Sequence, residues 1–452
     1  MTRFSVALMV TLDFGLGMLV SALYLAFHNE RARLFWVPGI LSLIVAGGFY
    51  SFSAITDYVC EEFGDKKAQI ELLVELGPDD DISEIKDILN RYGAKAHRAF
   101  PNVDLSENED LAQYYVVRVD SIHKDMLSMQ LRKDRENVDQ LEVNNPVSLF
   151  EPIATERNLK KDIKFIANDP FLNKQWFADK LDYNGVYDLL KGKKPKKKAK
   201  VAIVDTGVDK DHEDLKGIYQ KSGTDGDYDL HSHGTHCAGL AGAATNNGVG
   251  IGSMNFDGTY ITITGYPALD DYGRGDNRRV AKAIIDAAEG GADVISMSLG
   301  GYSPIPPKVQ VDAVKYANKL GAIVVVAAGN SNANAKRYSP ANIKGVITVA
   351  AVDENLNKAV FSNTNQDLKM PIAAPGVNCL SSVPESKYQE YSGTSMATPV
   401  VAGLLGMMKA FNPDLTTQDA YNIMKKSGLG VRDSKKIGKL IQPKAALKEV
   451  LK

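Results

Sequence analysis

The hydrophobic pattern changes character three times along the chain. Residues 4–27 are apolar apart from Asp13, and residues 34–55 carry no charge, so either run is long enough to cross a bilayer as a helix. Only residues 28–33 part them. The pair reads as a transmembrane hairpin in an anchor over residues 1–67, with membrane lipid as a partner. A cleaved signal peptide is the rival for the first run, but no Ala-x-Ala follows it, and an embedded Asp13 is unusual in such a peptide. In lipid Asp13 costs about 2.5–3.5 kcal/mol, so it is expected against the second helix or a partner. Arg31 and Arg33 lie in the short loop, whereas Asp57, Glu61, Glu62 and Asp65 follow the second run. That bias puts the loop in the cytoplasm and the soluble part outside it.

From Gln69 the texture turns to short alternating segments. Residues 70–76 read as a strand, and Ile82, Ile85, Leu89 and Tyr92 fall at helical spacing with Gly93 as a stop. Extended runs at 94–100 and 114–119, a helix at 124–135 and a strand at 138–143 follow. The order β-α-β-β-α-β is that of a small α+β ferredoxin-like domain, spanning residues 68–151. By itself this order says nothing about function.

Residues 152–167 read as a polar linker. Beyond it, apolar strands at 201–204, 260–264, 294–298, 323–328 and 346–350 alternate with helical stretches, clearest at 281–289 and 309–320. Residues 168–452 are thus expected to fold as an α/β domain with a doubly wound parallel sheet. The lysine-rich run 191–200 reads as a solvated loop. Residues 400–408 are apolar on every side and predict a buried helix, started by Gly393-Thr394-Ser395-Met396-Ala397-Thr398-Pro399.

Composition changes little in this picture: 44% hydrophobic and 24% charged residues are ordinary globular values. A formal net charge of -2 gives no reason to expect nucleic acid as a partner. Cys60, Cys237 and Cys379 are too few and scattered for a disulfide framework, and no Cys-x-x-Cys pair suggests zinc.

In doubly wound sheets ligands sit at the carboxyl ends of the strands. Asp205 follows the first strand, Ser298-Leu299-Gly300-Gly301 ends the third, and Asn330 follows the fourth. His231-Ser232-His233-Gly234-Thr235-His236 lies between the first two strands, and Ser395 completes a set of Asp, His and Ser. A serine hydroxyl needs an imidazole to take its proton and a carboxylate to hold that imidazole in the right tautomer. Ser395, His233 and Asp205 have the types for those roles. The Asn330 amide and the Ser395 N–H have the type for an oxyanion hole. Three alternatives fit less well. Asp205-Thr206-Gly207 is the aspartic-protease tripeptide but occurs once. His231, His233 and His236 lack a completing ligand at a zinc spacing. An α/β-hydrolase needs Gly-x-Ser-x-Gly and the order Ser, Asp, His, where this chain has Ala397 and the order Asp, His, Ser.

Over residues 168–451 the chain resembles the subtilisin-like serine peptidases, through Val204-Asp205-Thr206-Gly207-Val208, His233-Gly234-Thr235-His236-Cys237-Ala238-Gly239 and the Ser395 heptapeptide. The resemblance implies a serine endopeptidase with His233 as base, and a protein or peptide substrate paired as a strand beside Ser298, Leu299 and Gly300. It implies a first pocket walled by Ala327, Ala328 and Gly329, and Cys237 as a packing residue. Residues 68–151 resemble the family's propeptide, an intramolecular inhibitor whose C-terminal end would lie in the cleft. The thermitase-like branch implies Ca²⁺ at Asp169, Asp214 and Asn247, a donor set suited to a hard cation. Val400, where His is common, and residues 252–258, which lack the usual Ala-Pro, depart from the pattern. The rival of another class is a non-catalytic peptide-binding protein whose prodomain never leaves.

Overall fold

The computed structural model describes residues 68–106, 108–150, 152–154 and 164–452. The two apolar stretches at 4–27 and 34–55 lie outside the described residues, as does Cys60. Among the described residues no helix is long and apolar enough to cross a membrane.

The first strands are β1 (Gln69–Leu76), β2 (Lys95–Arg98), β3 (Tyr114–Asp120) and β4 (Val138–Val143), in one sheet ordered β2-β3-β1-β4. Helices Lys86–Arg91 and Lys124–Lys133 alternate with them. The first is shorter than the expected 82–92, because the Asp81 carboxylate accepts the Ser83 N–H at 2.9 Å and holds the chain in a turn before Lys86. Two short strands follow, β5 (Pro146–Leu149) and β6 (Ile153–Ala154). The strand β6 is a correction to the plain linker expected at 152–167: its backbone pairs with a later strand.

The larger sheet is built from β7 (Ala199–Asp205), β8 (Ile261–Pro267), β10 (Val294–Met297), β12 (Ile323–Ala327), β14 (Val346–Val352), β15 (Pro371–Pro375) and β18 (Lys439–Leu440). The remaining strands are β9 (Arg274–Asp276), β11 (Leu299–Tyr302), β13 (Tyr338–Ser339), β16 (Cys379–Val383) and β17 (Lys387–Ser392). The large sheet runs β18-β15-β14-β12-β10-β7-β8, and the pairs are parallel. Its central strands read as mostly apolar runs because both faces are covered. Val201 and Ile203 join the core under helices His233–Gly242 and Thr394–Phe411, while Ala202 and Val204 join the core under helices Asn277–Glu289 and Lys308–Lys319. The period of two therefore sends alternate residues of one strand to opposite helical layers.

The helices starting at His233 and Thr394 lie side by side on one face. Gly403 makes the close approach possible: a Cβ there would stand 2.3 Å from the Ala241 carbonyl oxygen. Both N-termini open at the carboxyl ends of the strands.

By contacts the chain divides into two compact units. Among the described residues one takes in 68–72, 81–96 and 117–137, and the other takes in 73–80, 97–116 and everything from Val138 onward. Within the second, the Glu142 carboxylate accepts the N–H groups of Lys308 (3.0 Å) and Val309 (3.2 Å), capping a helix that lacks a side-chain cap of its own. The Asn144 side chain accepts the Arg278 N–H at 3.1 Å and caps the neighbouring helix in the same way. The Lys308 ammonium lies between Glu75 (2.7 Å) and Asp312 (2.8 Å), and the Tyr114 hydroxyl donates to Asp312 at 3.2 Å. Burial pushes the Glu75 and Glu142 carboxyls above the usual range, and Lys308 offsets part of this.

Candidate active site

Asp205 is the last residue of β7 and fully buried. Its Oδ1 accepts the Thr206 N–H at 2.9 Å and lies 2.7 Å from His233 Nδ1. His233 is the first residue of its helix, turned into place by Ser232 at φ 83°. Its other nitrogen, Nε2, is buried with no hydrogen-bond partner among the described residues. Burial alone lowers the His233 pKa, but the Asp205 carboxylate outweighs it and holds the imidazole well above its usual value. Cys237 adds little as an anion near neutral pH, because burial raises its own pKa. The three histidines do not share a ligand point. His236 stacks on Tyr391 with ring centroids 4.5 Å apart, its Nε2 meets the Gln389 carbonyl at 3.0 Å, and burial brings its pKa down to about 3.

Ser395 is the second residue of the Thr394–Phe411 helix, and its Oγ donates to the Ser298 carbonyl at 3.2 Å. Pro399 stands four residues further on and has no N–H, so the Ser395 carbonyl loses its ordinary helical partner. It accepts from Ser298 Oγ at 2.8 Å and lies 3.5 Å from Cys237 Sγ instead. Ser298 and Cys237 thereby tie the serine's backbone to β10 and to the His233 helix, a role the sequence does not announce.

Asn330 follows β12. Its Oδ1 accepts both the N–H (2.9 Å) and the hydroxyl (2.8 Å) of Thr394, which fixes the direction of the amide. The Nδ2 then donates to the Phe150 carbonyl oxygen at 3.3 Å. Asn363, missed by sequence reasoning, shapes this loop: it donates to the Ala328 carbonyl at 2.8 Å and accepts the N–H groups of Ser331 and Ala333.

The cleft holds this chain's own backbone. Strand β5 pairs antiparallel with β11, setting Leu149 opposite Leu299 and Ser148 opposite Gly300, and on its other side with β9. Val147 and Leu149 are 6% and 5% exposed while Pro146 and Ser148 face out. Each buried side chain is worth about 1.5–3 kcal/mol. The Phe150 ring enters a slot floored by glycine: a Cβ at Gly300 or Gly329 would stand 2.9 or 3.3 Å from its Cζ. Ala327 and Ala328 are fully buried at the strand end. Beyond Phe150, Ile153 sits opposite Ser392 and Ala154 opposite Tyr391 in β17. The chain thus pairs with β11 up to Leu149 and again with β17 from Ile153, and between them the Phe150 carbonyl meets the Asn330 amide.

Asp214 and Asn247 meet away from the cleft, with Asn247 Nδ2 3.2 Å from Asp214 Oδ1. Asp169 accepts the N–H groups of Asn246 and Asn247 at 2.8 and 3.2 Å on the same loop. Burial, with Asp169 adding its charge, pushes Asp214 up to about 6, and burial raises Asp169 too. The backbone closes around this point at Gly250, where a Cβ would stand 1.9 Å from Asp214 Oδ2. The Asn247 Oδ1 accepts the Val249 N–H at 3.0 Å, so of the three residues it is the two buried carboxylates that suit a hard cation.

Residues 196–439 match the subtilase family of peptidases. The chain belongs to the subtilase family. It is 40% identical to thermitase of Thermoactinomyces vulgaris over 250 residues, covering 54% of this chain and 85% of thermitase. It is 36% identical to subtilisin DY of Bacillus licheniformis over 254 residues, 55% of this chain and 90% of that one. Among solved structures, fervidolysin of Fervidobacterium pennivorans, a keratinolytic enzyme related to subtilisin, superposes with a TM-score of 0.68 at 24% identity. That likeness covers 85% of this subtilase and 61% of fervidolysin, and it concerns the fold. With these relatives the subtilase is a serine protease that hydrolyses peptide bonds.

Proposed function

We propose that this subtilase is a serine endopeptidase made as a self-inhibited, membrane-anchored precursor, and that its first substrate is its own Phe150–Glu151 bond. The observation that carries the reading is the Phe150 carbonyl, which accepts a hydrogen bond from Asn330 while the chain pairs as a strand on both sides of Ser395. The Ser395 hydroxyl turns about one torsion from the Ser298 carbonyl to His233 Nε2, gives up its proton there and attacks the Phe150 carbonyl carbon. Asp205 holds the Nδ1–H and offsets the imidazolium charge. Asn330 Nδ2–H and the Ser395 N–H stabilise the oxyanion. The proton on Nε2 passes to the Glu151 nitrogen as the C–N bond breaks, and water then frees Phe150 from the ester. The test is fluorophosphonate labelling of the full-length chain and of Ser395→Ala. Equal labelling of the two would sink the assignment.

After the cut, residues 68–150 stay seated through β5 and the two helix caps. Removing the Glu142 cap costs about 1–2 kcal/mol, roughly tenfold in the equilibrium constant. The lag before added peptide is cleaved is therefore shorter in Glu142→Ala than in wild type. An unchanged lag would show that the cap plays no part in retention.

Asp169, Asp214 and Asn247 would hold Ca²⁺, whose charge offsets the cost of burying the two carboxylates. Saturation at about a hundredfold above Kd is worth about 2.7 kcal/mol, so EGTA lowers Tm by roughly 5–10 °C. A Tm indifferent to EGTA removes the ion from this reading. The anchor at 1–67, with the catalytic region outside the cytoplasm, rests on the two apolar runs and the arginine loop. Recovery of uncut Ser395→Ala in the soluble fraction after alkaline carbonate extraction speaks against it.

A further inference from the structure

Asp229 lies four residues before His233 and touches neither the triad nor the strand in the cleft, yet it is 4% exposed and both its oxygens are in use. Oδ1 accepts the Thr206 hydroxyl at 2.9 Å and the N–H groups of His231 and Ser232 at 3.0 Å each. Oδ2 accepts the Thr235 N–H at 2.9 Å and the Thr235 hydroxyl at 2.7 Å. A buried carboxylate with five donors is an expensive group to keep, and its partners lead to the two ends of the Asp205–His233 pair.

One end is the corner before His233. Ser232 holds φ 83°, a left-handed conformation costly for a residue with a side chain, and its own hydroxyl does not cap the helix that follows. Asp229 does so from outside the helix, taking the third-position N–H at Thr235 and the two N–H groups that enter the corner. The aim of the first helical side chain, His233, depends on that corner. The other end is Asp205. Thr206 donates its N–H to Asp205 Oδ1 at 2.9 Å, and its hydroxyl is committed to Asp229 while accepting the Gly234 N–H at 3.1 Å. One carboxylate thus fixes the residue after the aspartate and the residues on both sides of the histidine.

We propose that Asp229 is a positioning residue for catalysis, holding the His233 imidazole and the Asp205 carboxylate in register through the Ser232 corner and the Thr206 hydroxyl. This goes beyond the triad reading and rests on it. An amide at this position would turn an NH₂ towards N–H donors, so Asp229→Asn is a disruptive change despite its size. Displacement of a reacting group by about 1 Å costs about a hundredfold.

The experiment uses the full-length chain after self-cleavage, with turnover of a peptide p-nitroanilide normalised to the Ser395 content titrated by fluorophosphonate. Asp229→Asn is expected to lower kcat by about ten- to a hundredfold with KM within about threefold. The acid limb of kcat/KM is expected to move to lower pH, because a loosened Asp205 stabilises the imidazolium less. Thr206→Val should move both quantities the same way by less, Thr206→Ser should restore them, and the double variant Asp229→Asn with Thr206→Val should be no worse than Asp229→Asn alone. A folding defect alone would reduce the titrated Ser395 and leave the kcat per site and the acid limb where they were; that result, or additive effects in the double variant, overturns the proposal. Turnover by His233→Ala at the wild-type rate overturns the triad assignment and this role with it. An inactive His233→Ala beside an unimpaired Asp229→Asn overturns the role of Asp229 alone.

Discussion

The Ser395→Ala chain accumulates uncut between Phe150 and Glu151, and turns over added peptide about a millionfold more slowly than the processed wild type, the scale known for subtilisin in the same family. The size of the effect follows from how the groups depend on one another. Without the Ser395 oxygen, His233 Nε2 has no proton to take and the oxyanion donors have only a neutral carbonyl to hold. Intact mass of the products reads the result directly: wild type yields a fragment starting at Glu151, and the variant yields none. A Ser395→Ala chain cut at the same bond would mean that another enzyme or another nucleophile does the cutting. In wild type the rate rises with pH through a limb above the usual histidine value. The sign follows from the raised His233 pKa: the protonated form is the stabilised one, and the base must be neutral to act.

Asn330→Ala is expected to lower kcat about a hundred- to a thousandfold, with KM nearly unchanged. The selective loss arises because the Asn330 Nδ2 to Phe150 contact is long at 3.3 Å with a neutral carbonyl and tightens as that oxygen gains charge. The alanine variant also leaves the Thr394 N–H and hydroxyl without their acceptor, at the residue before the nucleophile. Asn330→Asp separates the two effects, since a carboxylate keeps the acceptor for Thr394 but has no donor to offer. If Asn330→Asp retains wild-type kcat, the amide is a strut for Thr394 and not an oxyanion donor.

The central strands were legible in the sequence because burial on both faces leaves β7, β10, β12 and β14 as mostly apolar runs rich in Val, Ile and Ala. Strand β15 was not, since its core is a short Ile372-Ala373-Ala374 between two prolines, and two-residue β18 is too brief to carry a period. Asp205, His233, Asn330 and Ser395 could be picked out by type and by their places after strands and before helices. Ser298 could be picked out as a strand-end residue but not for its hold on the Ser395 carbonyl, and Asn363 not at all, because both contacts run through backbone atoms far away in sequence. Strand β5 was hidden for a different reason. Asn144-Asn145-Pro146 reads as a turn, and what makes the next residues a strand is the cleft they lie in.

That occupied cleft has a kinetic consequence. With Phe150 and Ser395 on one chain, and the residues before the bond already paired, the reacting groups meet at an effective concentration set by geometry and not by how much protein is present. If the first cut is the proposed self-cleavage, it is a first-order event whose half-time ignores dilution. On the proposed self-cleavage, the severed piece ending at Phe150 would, once parted from the catalytic region, obey the opposite rule: its return to the cleft is second order and weakens as the concentration falls. On the proposed self-cleavage, one strand in one groove would thus make the step that creates the protease independent of its concentration, and the step that restrains it dependent on that concentration.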